Sequence, residues 1–206
     1  NEFFDAIPIK QFLKNRNNWF ERYVCLSSNK KAKFVNKKIN LREIEKKINF
    51  KVSEKQNFIE YSPLGFKYLK DIFSFIKRND GGLLIIDYGY FSEKMKDTLQ
   101  AIYKKKYSRV LENIGYSDIT HNINYYFIKK IAKNFKKLNI NFTSQKKFLT
   151  NLGIYQRAEI ISKNKTFSEK SNIFYRLKRL IDKKEMGNLF KVMLIKKTNN
   201  NFQIGF

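Results

Sequence analysis

One cysteine, one histidine, two prolines and eight glycines are all that this 206-residue chain holds of those four residue types. Cys25 alone rules out a disulfide framework or a thiolate metal site within the chain, and it points to a reducing compartment. His121 alone rules out a multi-histidine metal centre, and no metal is expected. Long apolar runs are missing as well. Leu83-Leu84-Ile85-Ile86 is strand length, far short of the roughly 20 residues that span a bilayer, so no membrane span is expected. Acidic residues are scarce, 18 against 43 Lys and Arg, which leaves a formal charge of +25.

That charge admits two readings. The functional one is a polyanion partner, either nucleic acid or an anionic membrane surface. The other is compositional drift. The lysines run along the whole chain without forming a stripe, and arginines that fork onto phosphates or bases are few. Lys, Asn, Ile, Phe and Tyr abound where Gly and Pro are rare, as an AT-rich genome produces. Drift is the favoured reading, and nucleic acid is not the expected partner. The 42% hydrophobic content, with 16% aromatic, supplies a core for one domain or one plus a small subdomain.

The opening residues, NEFFDAIPIKQF, are the most informative stretch. An acidic pair, Glu2 and Asp5, brackets two phenylalanines ahead of Ala6-Ile7-Pro8. The pattern reads as the carboxyl end of a buried strand turning into a short helix, the edge of an open α/β sheet where ligands bind. Asp5 is placed to N-cap that helix, with Pro8 in its first turn. A site motif at residue 1 leaves no room for flanking strands upstream, so the chain reads as the C-terminal part of a longer enzyme.

Further along, Trp19 to Leu26 reads as a strand, Ser27 to Lys30 as a turn and Ala32 to Val35 as its hairpin partner. Leu41, Ile44 and Ile48 have helical spacing. Phe66 to Lys77 places Leu69, Ile72, Phe73 and Ile76 on one helical face, and Asn79-Asp80-Gly81-Gly82 stops it. GGLLIIDYGYF then fits a central parallel strand buried on both faces. Asp97 to Val110 reads as a strand with a basic loop. Asn122 to Leu138 reads as a helix, and Phe148–Leu152, Ala158–Ser162 and Ile173–Ile181 as short helices. Leu189 to Ile195 is a strand, and the final Phe202 to Phe206 is expected to pair with it as an antiparallel edge.

Five blocks, NEFFDAIPIKQF, GGLLIIDYG with DTLQA downstream, SDITHNINYYF, FLTNLGIYQRAEII and MGNLFKVMLI, resemble the MidA family of S-adenosyl-L-methionine-dependent methyltransferases in order and approximate spacing. The resemblance implies an α/β fold, the C-terminal part of a class I (Rossmann-like) methyltransferase sheet with a helical insertion and an antiparallel edge strand. It makes residues 1–206 a partial methyltransferase domain from the end of the fourth strand onward, with the insertion at about 122–185. The glycine-rich loop and the acidic residue that hold the cofactor's methionine and ribose in such enzymes have no counterpart in the sequence. Asn124 stands where many members carry Asp.

The resemblance further implies a protein methyltransferase that uses S-adenosyl-L-methionine and acts on an arginine of a respiratory complex I (NADH dehydrogenase) subunit, supporting complex assembly. The fragment alone is then expected to be inactive. The expected place is the cytoplasm of a bacterium or the mitochondrial matrix of a eukaryote. Glu2 and Asp5 are the expected catalytic carboxylates, since a carboxylate forks onto guanidinium hydrogens and keeps the attacking nitrogen's lone pair available. Asn1, Phe3 and Phe4 are expected beside the cofactor, and Asp87, Tyr88 and His121 beside the substrate. Five of these residues also have a plainer role: core packing for Phe3 and Phe4, turn or helix capping for Asp5, Asp87 and His121. Two other functions are kept open, a basic nucleic-acid-binding module and a non-catalytic assembly scaffold on the same fold.

Overall fold

The computed structural model describes residues 2–206. The chain forms two compact units, one of residues 4–68 and 91–124, the other of residues 2–3, 69–90 and 125–206.

The first unit is built on an antiparallel sheet. Its strands are β1 (Lys10–Asn15), β2 (Asn18–Leu26), β3 (Ala32–Ile39) and β4 (Phe58–Tyr61), in the order β3-β2-β1-β4. The expected hairpin of β2 and β3 is present, with Val24 opposite Phe34. The opening motif differs from expectation. Residues 4–7 form a bend and turn, and the chain then enters β1, so Asp5 caps no helix. Pro8 explains this, because its ring disfavours the α conformation at Ile7 and directs the chain into extended structure. Phe12 is fully buried opposite Ile59, its ring 6.1 Å from that of Tyr61. Helix α1 (Leu41–Ile48) follows β3 and stops at Asn49, whose φ of +50° lets its N–H reach back to Glu45 and Lys46.

Helix α2 (Pro63–Asn79) starts one turn earlier than the sequence spacing indicates. Ser62 accepts the Gly65 N–H on its hydroxyl at 2.9 Å, and Pro63 occupies the first helical position, where its missing N–H costs nothing. Leu69, Phe73 and Ile76 are buried, and the Phe73 ring packs 5.5 Å from that of Phe135.

In the second unit, β5 (Gly82–Tyr90) pairs antiparallel with β11 (Phe190–Lys197), which pairs antiparallel with β10 (Leu138–Ser144), giving the order β10-β11-β5. The expectation of a parallel strand buried on both faces is corrected in part: β5 runs antiparallel to β11, and Ile85 and Asp87 are buried but Leu84 is 44% exposed. The expected final hairpin is also corrected. Residues 201–206 form no strand, and β11 lies between β10 and β5. Lys196 is the physical reason. Its buried ammonium donates to the carbonyls of Asn200 and Phe202, each at 2.6 Å, and this folds the tail back as a turn.

The remaining strands of the first unit are β6 (Gln100–Tyr103), β7 (Lys106–Ser108) and β8 (Asp118–Thr120), ordered β7-β6-β8. The β6–β7 turn is made by Lys104 and Lys105, with φ +49° and +64°. A short segment, β9 (Ile123–Asn124), leads to α3 (Tyr125–Lys133). Helices α4 (Gln145–Asn151), α5 (Ile154–Ser162), α6 (Phe167–Ile181) and α7 (Met186–Leu189) complete the second unit. Leu149, Ile154, Ala158, Ile173, Leu177, Leu180 and Ile181 form the core of these helices. Strand β10 interrupts the span 122–185 expected to be helical. Thr166 and Glu169 form a capping box at the start of α6, and the Thr166 backbone and hydroxyl bonds hold the Glu169 carboxyl below its ordinary pKa. A Cβ on Gly187 would stand 2.7 Å from the Asp182 carbonyl oxygen and closer still to that of Ile181, so only glycine fits there.

Candidate functional site

The stretch Ile86 to Tyr88, from the middle of β5 towards its carboxyl end, organises the site residues of the second unit. The Glu2 N–H donates to the Ile86 carbonyl at 3.1 Å, and the Phe3 N–H donates to Asp87 Oδ2 at 3.2 Å. Asp87 is 1% exposed, and its Oδ1 accepts the Tyr88 N–H at 2.8 Å. This carboxylate therefore ties the opening turn and the strand end together. The Tyr125 hydroxyl lies 3.1 Å from the carbonyl oxygens of both Asp87 and Lys191 and fixes the strand from the other side. The Tyr88 ring packs 4.3 Å from that of Phe190.

Glu2 is exposed and sits at φ +48°, a left-handed conformation that is costly for a residue with a Cβ. Phe3 leaves 52% of its surface to solvent. Asn1 lies outside the described residues.

The first unit holds a second group. Phe4 is a core residue, 9% exposed. Asp5 is 5% exposed, and its carbonyl accepts the His121 N–H at 3.0 Å. His121 follows β8 and precedes no helix directly. Its Nε2 is buried and has no hydrogen-bond partner among the described residues. The structure thus brings Asp5 and His121 together in one unit, and Glu2, Phe3, Asp87 and Tyr88 together in the other. Cys25 is a free thiol, only half-buried on β2 rather than a core residue. No group of three or more metal-ligating side chains occurs among the described residues.

Sequence reasoning missed a polar network behind His121. Buried Glu60 accepts from the Gln11 amide at 2.6 Å and from the Thr98 hydroxyl and N–H, and the Thr98 hydroxyl accepts the Asn122 N–H at 2.9 Å. Gln11 also donates to Asp97 at 2.8 Å, and Arg22 bridges Gln11 and Asp97 at 2.9 and 2.7 Å. The network fixes the backbone at Asn122, the residue that follows His121. Its members lie far apart in sequence, and the only local sign was polar residues inside apolar strands at Gln11 and Glu60.

The chain is similar to known proteins in sequence and in fold. The profile of a family described as "Putative S-adenosyl-L-methionine-dependent methyltransferase" matches residues 1–143. The chain is 24% identical over 198 residues to the zebrafish (Danio rerio) protein named protein arginine methyltransferase NDUFAF7, mitochondrial, covering 96% of this chain and 46% of that one. It is 28% identical over 159 residues to the Caenorhabditis elegans homologue of that protein, covering 76% and 37%. The chain spans about half the length, or less, of these curated relatives. Two crystal structures from Burkholderia thailandensis share the fold over the whole chain at 22% identity. Their TM-scores are 0.81 and 0.80, with 56% and 54% of those chains covered, and the second is a COG1565 superfamily member bound to S-adenosyl-homocysteine. The chain belongs to this family of S-adenosyl-L-methionine-dependent methyltransferases, the MidA family of the sequence resemblance.

Proposed function

We propose that the protein transfers a methyl group from S-adenosyl-L-methionine to an arginine of a protein substrate, and that the residues described here form the acceptor side of the site. The observation that carries this reading is the 3.1 Å bond from the Glu2 N–H to the Ile86 carbonyl. It seats an exposed carboxylate-bearing residue beside Ile86, midway along β5 (Gly82–Tyr90), on the approach to the carboxyl end at which α/β enzymes bind ligands. The names of the curated relatives support an arginine acceptor.

When bound, S-adenosyl-L-methionine supplies an electrophilic methyl group on a positively charged sulfur. The half-exposed ring of Phe3 suits such a charge, since an aromatic face attracts cations. The sequence has no GxGxG run, and no residue of this chain is assigned to the cofactor's adenosine or amino-acid ends. Glu2 would grip two guanidinium hydrogens of the acceptor in a fork and draw positive charge away from the remaining nitrogen, keeping its lone pair available for the methyl group. Asp87 holds the Phe3 and Tyr88 backbone so that this geometry persists without substrate.

The proposal extends to a subunit of respiratory complex I as acceptor, with methylation supporting assembly, in the bacterial cytoplasm or the mitochondrial matrix. Cells lacking the gene supply unmethylated complex I, which is incubated with methyl-labelled S-adenosyl-L-methionine and the protein as its gene encodes it. Label recovered as methylarginine in one complex I subunit is the expected result. Label in lysine or RNA, or none at all, refutes the reading.

A further inference from the structure

We propose that the hairpin of α5 and α6 docks on the surface of an anionic lipid bilayer. The surface lies wholly within the second unit, and the proposal is independent of the methyl-transfer reading. The hairpin's inner side is already satisfied. Ala158, Leu177 and Ile181 are buried there, with Leu149, Ile154, Ile173 and Leu180 packed against them. The outer side leaves large apolar groups in water. Phe167, the first residue of α6, is 89% exposed, and Ile160 near the end of α5 is 59% exposed. Ile161, Phe174 and Tyr175 are exposed as well. Phe167 and Phe174 stand seven residues apart, about two helical turns, and so share one stripe of α6.

The charge around this stripe is nearly all of one sign. Within residues 154–181 seven lysines and arginines stand against two acids, Glu159 and Glu169. Glu169 is occupied: its carboxylate accepts the Thr166 N–H and hydroxyl, each at 2.9 Å, and the Lys165 ammonium at 3.2 Å. Lys163, Lys170 and Lys178 are exposed. Lys170 follows Phe167 by three residues and Lys178 follows Phe174 by four, which places both on the stripe of the phenylalanines.

Apolar groups set among lysines match a bilayer interface, where hydrocarbon receives the first and anionic headgroups pair with the second. No helix among the described residues is long and apolar enough to cross a membrane, so the contact is at the surface. A second copy of the chain brings the same positive face and is repelled by it. Nucleic-acid bases stack on rings, and Ile160 and Ile161 offer none.

Vesicle flotation tests this on the protein as its gene encodes it, at about 0.15 M salt. One set of vesicles is phosphatidylcholine alone; the other adds about one phosphatidylglycerol in four lipids. Binding to the anionic set alone is expected. Phe167→Ser should weaken it roughly tenfold, the partition of one large apolar side chain. Lys163→Glu with Lys170→Glu should weaken it by roughly tenfold or more, while the same charge changes at Lys46 and Lys47 on α1 leave it nearly intact. All five side chains are exposed, so melting temperatures stay at the parent value. Phe167→Trp reads insertion itself: with the parent protein as blank, its emission shifts to the blue on anionic vesicles and is quenched by brominated acyl chains. Absence of binding to anionic vesicles overturns the proposal. Equal weakening by both charge pairs means diffuse attraction and overturns it too, as does an unshifted Phe167→Trp spectrum. A single-stranded oligonucleotide that binds in solution and loses affinity equally on Phe167→Ser would make the face a nucleic-acid site instead.

Discussion

Glu2 and Ile86 are joined backbone to backbone at 3.1 Å, and the next donor along, the Phe3 N–H, ends on the carboxylate of Asp87 at 3.2 Å. The opening turn is therefore held by one main-chain bond and one buried charge. Asp87→Asn replaces an acceptor of two N–H groups by an amide whose NH2 faces one of them. The expected cost is about 1–3 kcal/mol, read as a lower urea midpoint with an unchanged slope. An unchanged midpoint would mean that Asp87 does not anchor the turn.

Gly187 gives a second, sterically defined prediction. A Cβ there meets the Ile181 and Asp182 carbonyls at distances that side chains do not adopt. Gly187→Ala should destabilise the second unit by about 2–3 kcal/mol, the upper range for overpacking. A melting temperature equal to that of the parent would contradict this packing.

Glycine scarcity leaves lysines at left-handed backbone positions, among them Lys30 at φ +59° in the β2–β3 turn. Lys30→Gly relieves that strain and should stabilise by about 0.5–1 kcal/mol. The same change at Lys33, inside β3, should destabilise by a similar amount, about 0.5–1 kcal/mol. Opposite signs in parallel denaturant titrations check the pair.

Tyr61 supplies a pH dependence. Burial, with the Glu21 charge adding to it, pushes its hydroxyl from an ordinary 10.0 up to about 12. The folded state holds this proton more tightly than the unfolded chain, so its stabilisation is complete below pH 10 and is lost as the pH rises towards 12. Tyr61→Phe should flatten stability against pH in that window alone. A slope identical to that of the parent would show that other groups cause the alkaline loss.

Much of this fold is legible in local pattern. The apolar run of β5, the β2–β3 hairpin, the buried face of α2 and the helices α4 to α6 all follow periodicity and turn residues, because each element's burial is written within its own segment. Strand β10 carries the strand period in LNINFTS, apolar residues alternating with polar ones, but the segments with helical spacing on either side mask it. The tail was misread because one buried side chain, Lys196, decides its course through contacts four and six residues away. In the site, the opening acidic residues and the end of β5 stood out in sequence. The Gln11–Glu60–Thr98–Asn122 network did not, because hydrogen bonds between distant strands leave no local periodicity.

The most direct test of the central claim is Glu2→Gln in the protein as its gene encodes it, assayed for methyl transfer to arginine and for S-adenosyl-L-methionine binding. The account predicts transfer reduced by about 100-fold or more, as for other groups that stabilise charge at the reacting centre, with cofactor binding and melting temperature unchanged. Undiminished transfer would remove Glu2 from the site and, with it, the reason for placing the acceptor beside β5.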